Sequence, residues 1–83
     1  METRIALIGI IVTDNQISSD LNSLLSGYAD YIIGRMGIPH HKHNEEEVAI
    51  ISIAIEAPQS VISALSGKLG MLNGVTAKVL YAG

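Results

Sequence analysis

The sequence predicts an α+β domain: a four-stranded antiparallel sheet with two helices on one face, in the order β-α-β-β-α-β. Three observations predict it. Two β-branched runs, residues 4–13 (RIALIGIIVT) and 48–56 (VAIISIAIE), read as strands. Each is followed by leucines and isoleucines at helical spacing. Two further strand candidates, residues 31–38 and 75–81, each complete a β-α-β unit, so the pattern occurs twice.

The first strand ends before Asp14 and Asn15, either of which offers a helix N-cap. Ile17, Leu21, Leu24, Leu25 and Tyr28 then form one apolar stripe, leaving Ser18, Ser19, Asp20, Asn22 and Ser23 toward water. Gly27 stops that helix. The second strand, YIIGRMGI, ends at Pro39, and Gly34 and Gly37 suggest a bulge or bend within it. Residues 40–47 (HHKHNEEE) are wholly polar and read as a loop. After the third strand, Pro58 suits the first turn of a second helix. Its stripe is Val61, Ile62, Leu65 and Leu69, with Gly67 and Gly70 near its end. Asn73-Gly74 is a turn signal, and residues 75–81 alternate as a final strand. Right-handed crossovers and a hairpin between strands two and three give the ferredoxin-like plait, with spatial order fourth, first, third, second.

Length and composition bound the rest. Eighty-three residues fit one domain, spanning 1–83, and a domain this small is marginally stable alone. With no cysteine there is no disulfide, thiolate nucleophile or Cys-ligated metal. Only 16% of residues are charged, and the net charge of −3 with five Lys and Arg argues against nucleic-acid binding. No apolar run approaches the ~20 residues that span a bilayer, and the apolar start of the chain has no small-residue cleavage site. A cytoplasmic protein is expected.

Both central strands are apolar on both faces. The strand periodicity yields two candidate faces: Ala6, Ile8, Ile10, Val48, Ile50 and Ser52, or the opposite Ile5, Leu7, Ile11, Ile51 and Ile53. Only one face can lie under the helices, so the other is expected to pair with another subunit in a homo-oligomer, a dimer or tetramer.

Chemistry-bearing residues are few. His40, His41 and His43 crowd one segment beside three glutamates, a candidate divalent-metal site for nickel or zinc. Arg35 and Lys68 are cations in apolar or glycine-rich surroundings, either of which could hold an anionic ligand. No G-x-S-x-G elbow, H-E-x-x-H pair or complete phosphate loop is present, which predicts no enzyme and no resident cofactor.

Residues 62–75 (ISALSGKLGMLNGV), with RMGIP at 35–39 and EEVAII at 46–51, resemble the small family of iron-only hydrogenase system regulators. The most specific part is LSGKLG at 65–70, with Gly74-Val75 closing the turn. Members look like the ACT domain and the C-terminal domain of the nickel-responsive repressor, which share the plait. The resemblance implies an ACT-like regulatory or ligand-sensing module tied to hydrogenase maturation. It implies pairing through the sheets and a small molecule near the loop after the first strand, here Asp14, Asn15 and Gln16. That loop lacks the glycine of typical amino-acid-binding ACT domains, and the chain lacks the repressor's cysteine ligand and DNA-binding segment. A protein partner is the other role a regulator of this kind would fill.

Overall fold

β1 (Arg4–Val12) and β3 (Glu46–Ala57) form the middle of the sheet, because their β-branched side chains pack best where both edges are paired. β2 (Ile32–His43) adds to the free edge of β3, and β4 (Val75–Tyr81) to the free edge of β1. The strand order is β2-β3-β1-β4, all antiparallel, as the element order predicts. In the computed structural model residues 2–82 are described, all but the side chain of Asn15.

α1 (Ser18–Gly27) and α2 (Gln59–Gly70) cover one face of the sheet. They bury the predicted stripes: Leu21 and Leu25 from α1, and Ile62, Leu65 and Leu69 from α2. Beneath them lie Ala6, Ile8, Ile10 and Val12 of β1 with Ile51, Ile53, Ile55 and Ala57 of β3. At ~25 cal/mol per Å² of apolar surface, this single layer is the main source of stability. No polar or charged side chain is buried among the described residues.

The register corrects the grouping of faces. Ala6 stands opposite Ile55, Ile8 opposite Ile53 and Ile10 opposite Ile51. Partners across antiparallel strands point to the same side. Ala6, Ile8 and Ile10 therefore belong with Ile51 and Ile53 under the helices, while Val48, Ile50 and Ser52 share the open side with Ile5, Leu7 and Ile11. Each strand's alternation was readable, but the phase between two strands is set by their pairing, a one-residue choice that alternation does not encode.

Helix entry differs too. No side chain caps α1, whose N-cap residue is Ile17. Instead the Asp14 carboxylate accepts the Gln16 backbone N–H at 3.0 Å, and a 3-10 turn, Asn15–Ile17, leads into the helix. Pro58 sits one residue before α2, with its carbonyl accepting the Val61 and Ile62 N–H groups.

The largest difference is the hairpin. The segment expected to be a loop is the outer half of a ladder in which Lys42 pairs with Glu47 and His43 with Glu46. β2 continues through Pro39 because a register shift falls between Ile38 and His41, where a missing N–H breaks no regular rung. A second shift, between Ile32 and Gly34, is the irregularity the glycines signalled. β1 pairs with β3 only as far as Val12 opposite Ala49, so beyond that point β2 and β3 run on as a two-stranded arm. The molecule is accordingly 45 Å long but 23 by 17 Å across. Such an arm has no apolar face of its own, which is why its polar sequence reads as a loop.

Two backbone positions are conformationally demanding. Gly74, at φ 74°, brings its carbonyl to the Thr13 N–H at 2.8 Å, and an added Cβ would lie 2.6 Å from the Asp14 Cβ. Gly74→Ala is expected to cost about 1–3 kcal/mol, read as a lower urea midpoint; an unchanged midpoint would refute the account. The arm turns through Asn44 and Glu45, at φ 49° and 71°. A two-residue turn of this sort favours Asn-Gly. Glu45→Gly is expected to stabilise the arm by about 1 kcal/mol, seen as slower amide exchange at His43 and Glu46; unchanged or faster exchange would contradict it.

Candidate functional site

α1 lies over the sheet with Leu21 and Leu25 pointing down, which turns Ser18 and Asn22, one helical turn apart, toward β2. Arg35 of β2 stands opposite Ile53 and so on the helix side of the sheet. Its Nη2 donates to the Asn22 Oδ1 at 3.0 Å. Farther along, Gly37 has no side chain and Ala49 only a methyl, so the sheet surface dips before the arm leaves the body. The result is a cleft of about 650 Å³ between α1 and the base of the arm. Val12, Leu21, Ala49 and Ile51 line its apolar floor; Ser18, Asn22 and Arg35 form one wall, and Pro39, His40 and Glu47 the other. The His40 Nδ1 lies 3.6 Å from the Glu47 Oε2. Arg35 also lines a smaller recess of about 290 Å³ with Asn22, Leu25, Ser26, Ala29 and Ile32, and so stands between the two hollows.

Of the residues singled out from the sequence, Arg35 and His40 come together around this cleft. Lys68 does not. It lies on α2 with its Nζ 5.4 Å from the centre of the Tyr28 ring, a cation–π contact that extends the helix–helix packing. Asp14 is occupied in the turn before α1 and abuts Gly74. Neither Asp14 nor Gln16 lines the cleft, and the Asn15 side chain lies outside the described residues.

The histidines divide across the arm. His41 pairs with Val48 and His43 with Glu46, which puts both on the open-sheet side, whereas His40 faces the cleft. His43 exchanges a contact of 3.4 Å with the Asn44 amide. Among the described residues no three of the His and carboxylate groups converge as a metal site would require.

Sequence reasoning missed Ser18 and Asn22, because a polar residue at a water-facing position reads the same whether it borders a cleft or bulk solvent. The four-residue spacing of these two was the only available sign.

The other face of the sheet carries no helix. It holds cross-strand rows: Leu80, Leu7, Ala54 and Gly34; then Lys78, Gly9, Ser52 and Met36; then Thr76, Ile11, Ile50 and Ile38. Its large apolar members, with Ile5, are between 39% and 75% exposed, where the water-facing side of an antiparallel sheet usually carries polar residues. No helix among the described residues is long and apolar enough to cross a membrane.

Comparison with known proteins places this architecture. The uncharacterized protein TM1266 from Thermotoga maritima is 32% identical, with a TM-score of 0.87 over 99% of this chain and 100% of that one. The protein CPII from Thiomonas intermedia K12, bound to ADP, AMP and acetate, matches at 12% identity and TM-score 0.60, over 100% of this chain and 93% of that one. The apo form of CPII, a nitrogen regulatory PII-like protein, matches at 14% and 0.55, over 98% and 95%. The likeness to CPII is one of fold. No curated protein matches the sequence. A family model matches residues 4–79, nearly every element described above. The chain belongs to that family, TM1266-like, whose description reads "Iron-only hydrogenase system regulator, putative".

Proposed function

We propose that this chain is a non-catalytic regulatory module that senses a small ligand, acts as a homo-oligomer, and serves the hydrogenase system after which its family is described. The cleft beside α1 carries this reading. Its volume falls within the range of small-molecule sites, about 300–1,000 Å³, and its composition fits as well, an apolar floor with a few polar groups on the walls. Catalytic acids, bases and nucleophiles are held in desolvated, mutually hydrogen-bonded sets. Here the polar groups of the walls are exposed, and Arg35 and Asn22 engage each other.

The open face supports the oligomer. Four strands about 4.8 Å apart and nine residues of β1 at about 3.3 Å each make a surface on the order of 600 Å². That approaches the ~800 Å² per partner of a stable interface. A second copy stacking its own open face there would bury the same isoleucines and leucines on both sides, as a two-fold contact requires.

The expected outcomes are concrete. In a thermal-shift screen of amino acids, adenine nucleotides, short carboxylates, nickel and zinc, at least one organic ligand raises the melting temperature. A flat response to every organic compound would count against ligand sensing. Sedimentation velocity at micromolar concentration shows a dimer or larger species, and the double substitution Leu7→Lys, Leu80→Lys shifts it to monomer with the circular dichroism spectrum retained. A wild-type monomer would sink the oligomeric reading.

A further inference from the structure

The chemistry of the cleft walls narrows what the cleft takes. Arg35 carries a guanidinium, and it donates to the neutral Asn22 carboxamide. Among the described residues no carboxylate pairs with it. The carboxylate that does line the cleft, Glu47, stands on the opposite wall with His40. The cleft is therefore polarised: a guanidinium with an amide and a hydroxyl, Asn22 and Ser18, at the α1 wall, and between the walls an apolar floor of Val12, Leu21, Ala49 and Ile51. Asn22 holds the guanidinium by one nitrogen, leaving further N–H groups of its planar fork to donate.

We propose that this cleft binds a small organic anion with an apolar body, its carboxylate head on Arg35 and its body over Val12, Leu21, Ala49 and Ile51. The proposal deepens the ligand-sensing reading and rests on it. A carboxylate matches the guanidinium fork in a way that a neutral hydroxyl does not. An apolar body is called for because the floor offers no donor or acceptor to a polar one. The open face of the sheet, although more apolar, shows no comparable anchor among the described residues: Lys78 lies on the edge strand in a row with Gly9 and Ser52.

The probes are octanoate and 1-octanol, which differ in the head alone, followed by amide chemical shifts of the isotope-labelled chain. Octanoate is expected to shift Ser18, Asn22, Gly37 and Ile51 saturably and about tenfold more tightly than 1-octanol, the size of one charge-assisted hydrogen bond. Raising the salt concentration weakens octanoate and leaves 1-octanol unchanged. Arg35→Gln erases the preference, and Arg35→Lys keeps part of it. Because Arg35 is exposed, both variants are expected to fold; the salt series reads the same point with the wild-type chain alone. If both probes shift the cleft amides equally and without salt dependence, the anion proposal is overturned while a ligand cleft stands. If neither reaches the cleft, or the shifts fall at Leu7 and Leu80 on the open face, the cleft itself is the wrong site and both readings fail there.

Discussion

Ile8 faces Ile53 and Ile10 faces Ile51 across the antiparallel pairing of β1 with β3, and both pairs lie under the two helices. This contact decides which half of each central strand is core. A shift of one residue would carry every one of these side chains to the other face. It also decides where β1 stops supporting β3, at Val12 opposite Ala49, and so where the arm begins. Helix docking, the exposed isoleucines of the open face and the position of the cleft all follow from this one register.

The cleft is a by-product of mismatched lengths. β2 and β3 have twelve residues each, whereas α1 has ten and β1 nine. The hairpin overshoots its cover, and the uncovered part near the body has Ala49, with only a methyl, and Gly37, where an added Cβ would meet the Ile50 carbonyl at 3.2 Å. A small domain that needed only stability would close that gap, since voids in an apolar layer cost dispersion and burial. An open apolar floor beside a guanidinium held by a neutral amide is the combination on which the proposed ligand site rests.

Membership in the regulator family and the likeness to a PII-like fold agree with the chemistry of the surface, though each says something different. The family match covers residues 4–79 and concerns descent. The PII-like match concerns the path of the backbone, which hosts many functions. The functional weight therefore rests on the site: apolar floor, one anchored cation, and no polar side chain buried among the described residues.

By itself the sequence determined the element order, the sheet order and the helix stripes. Each is a local signal: β-branched runs, 3.6-residue periodicity, and turn residues such as Asn73-Gly74. It also determined that both central strands are apolar on both faces, and the family through LSGKLG and its neighbours. Only the tertiary structure decided which isoleucines share a face, because phase between strands is a property of the pair. Only it turned the polar run at 40–47 into a paired arm, since the backbone bonds that hold β2 to β3 there leave no mark in side-chain hydrophobicity. And only it brought Arg35 to Asn22 and Ser18 beside His40, because a cleft is made by residues distant in sequence whose separate surroundings look merely polar.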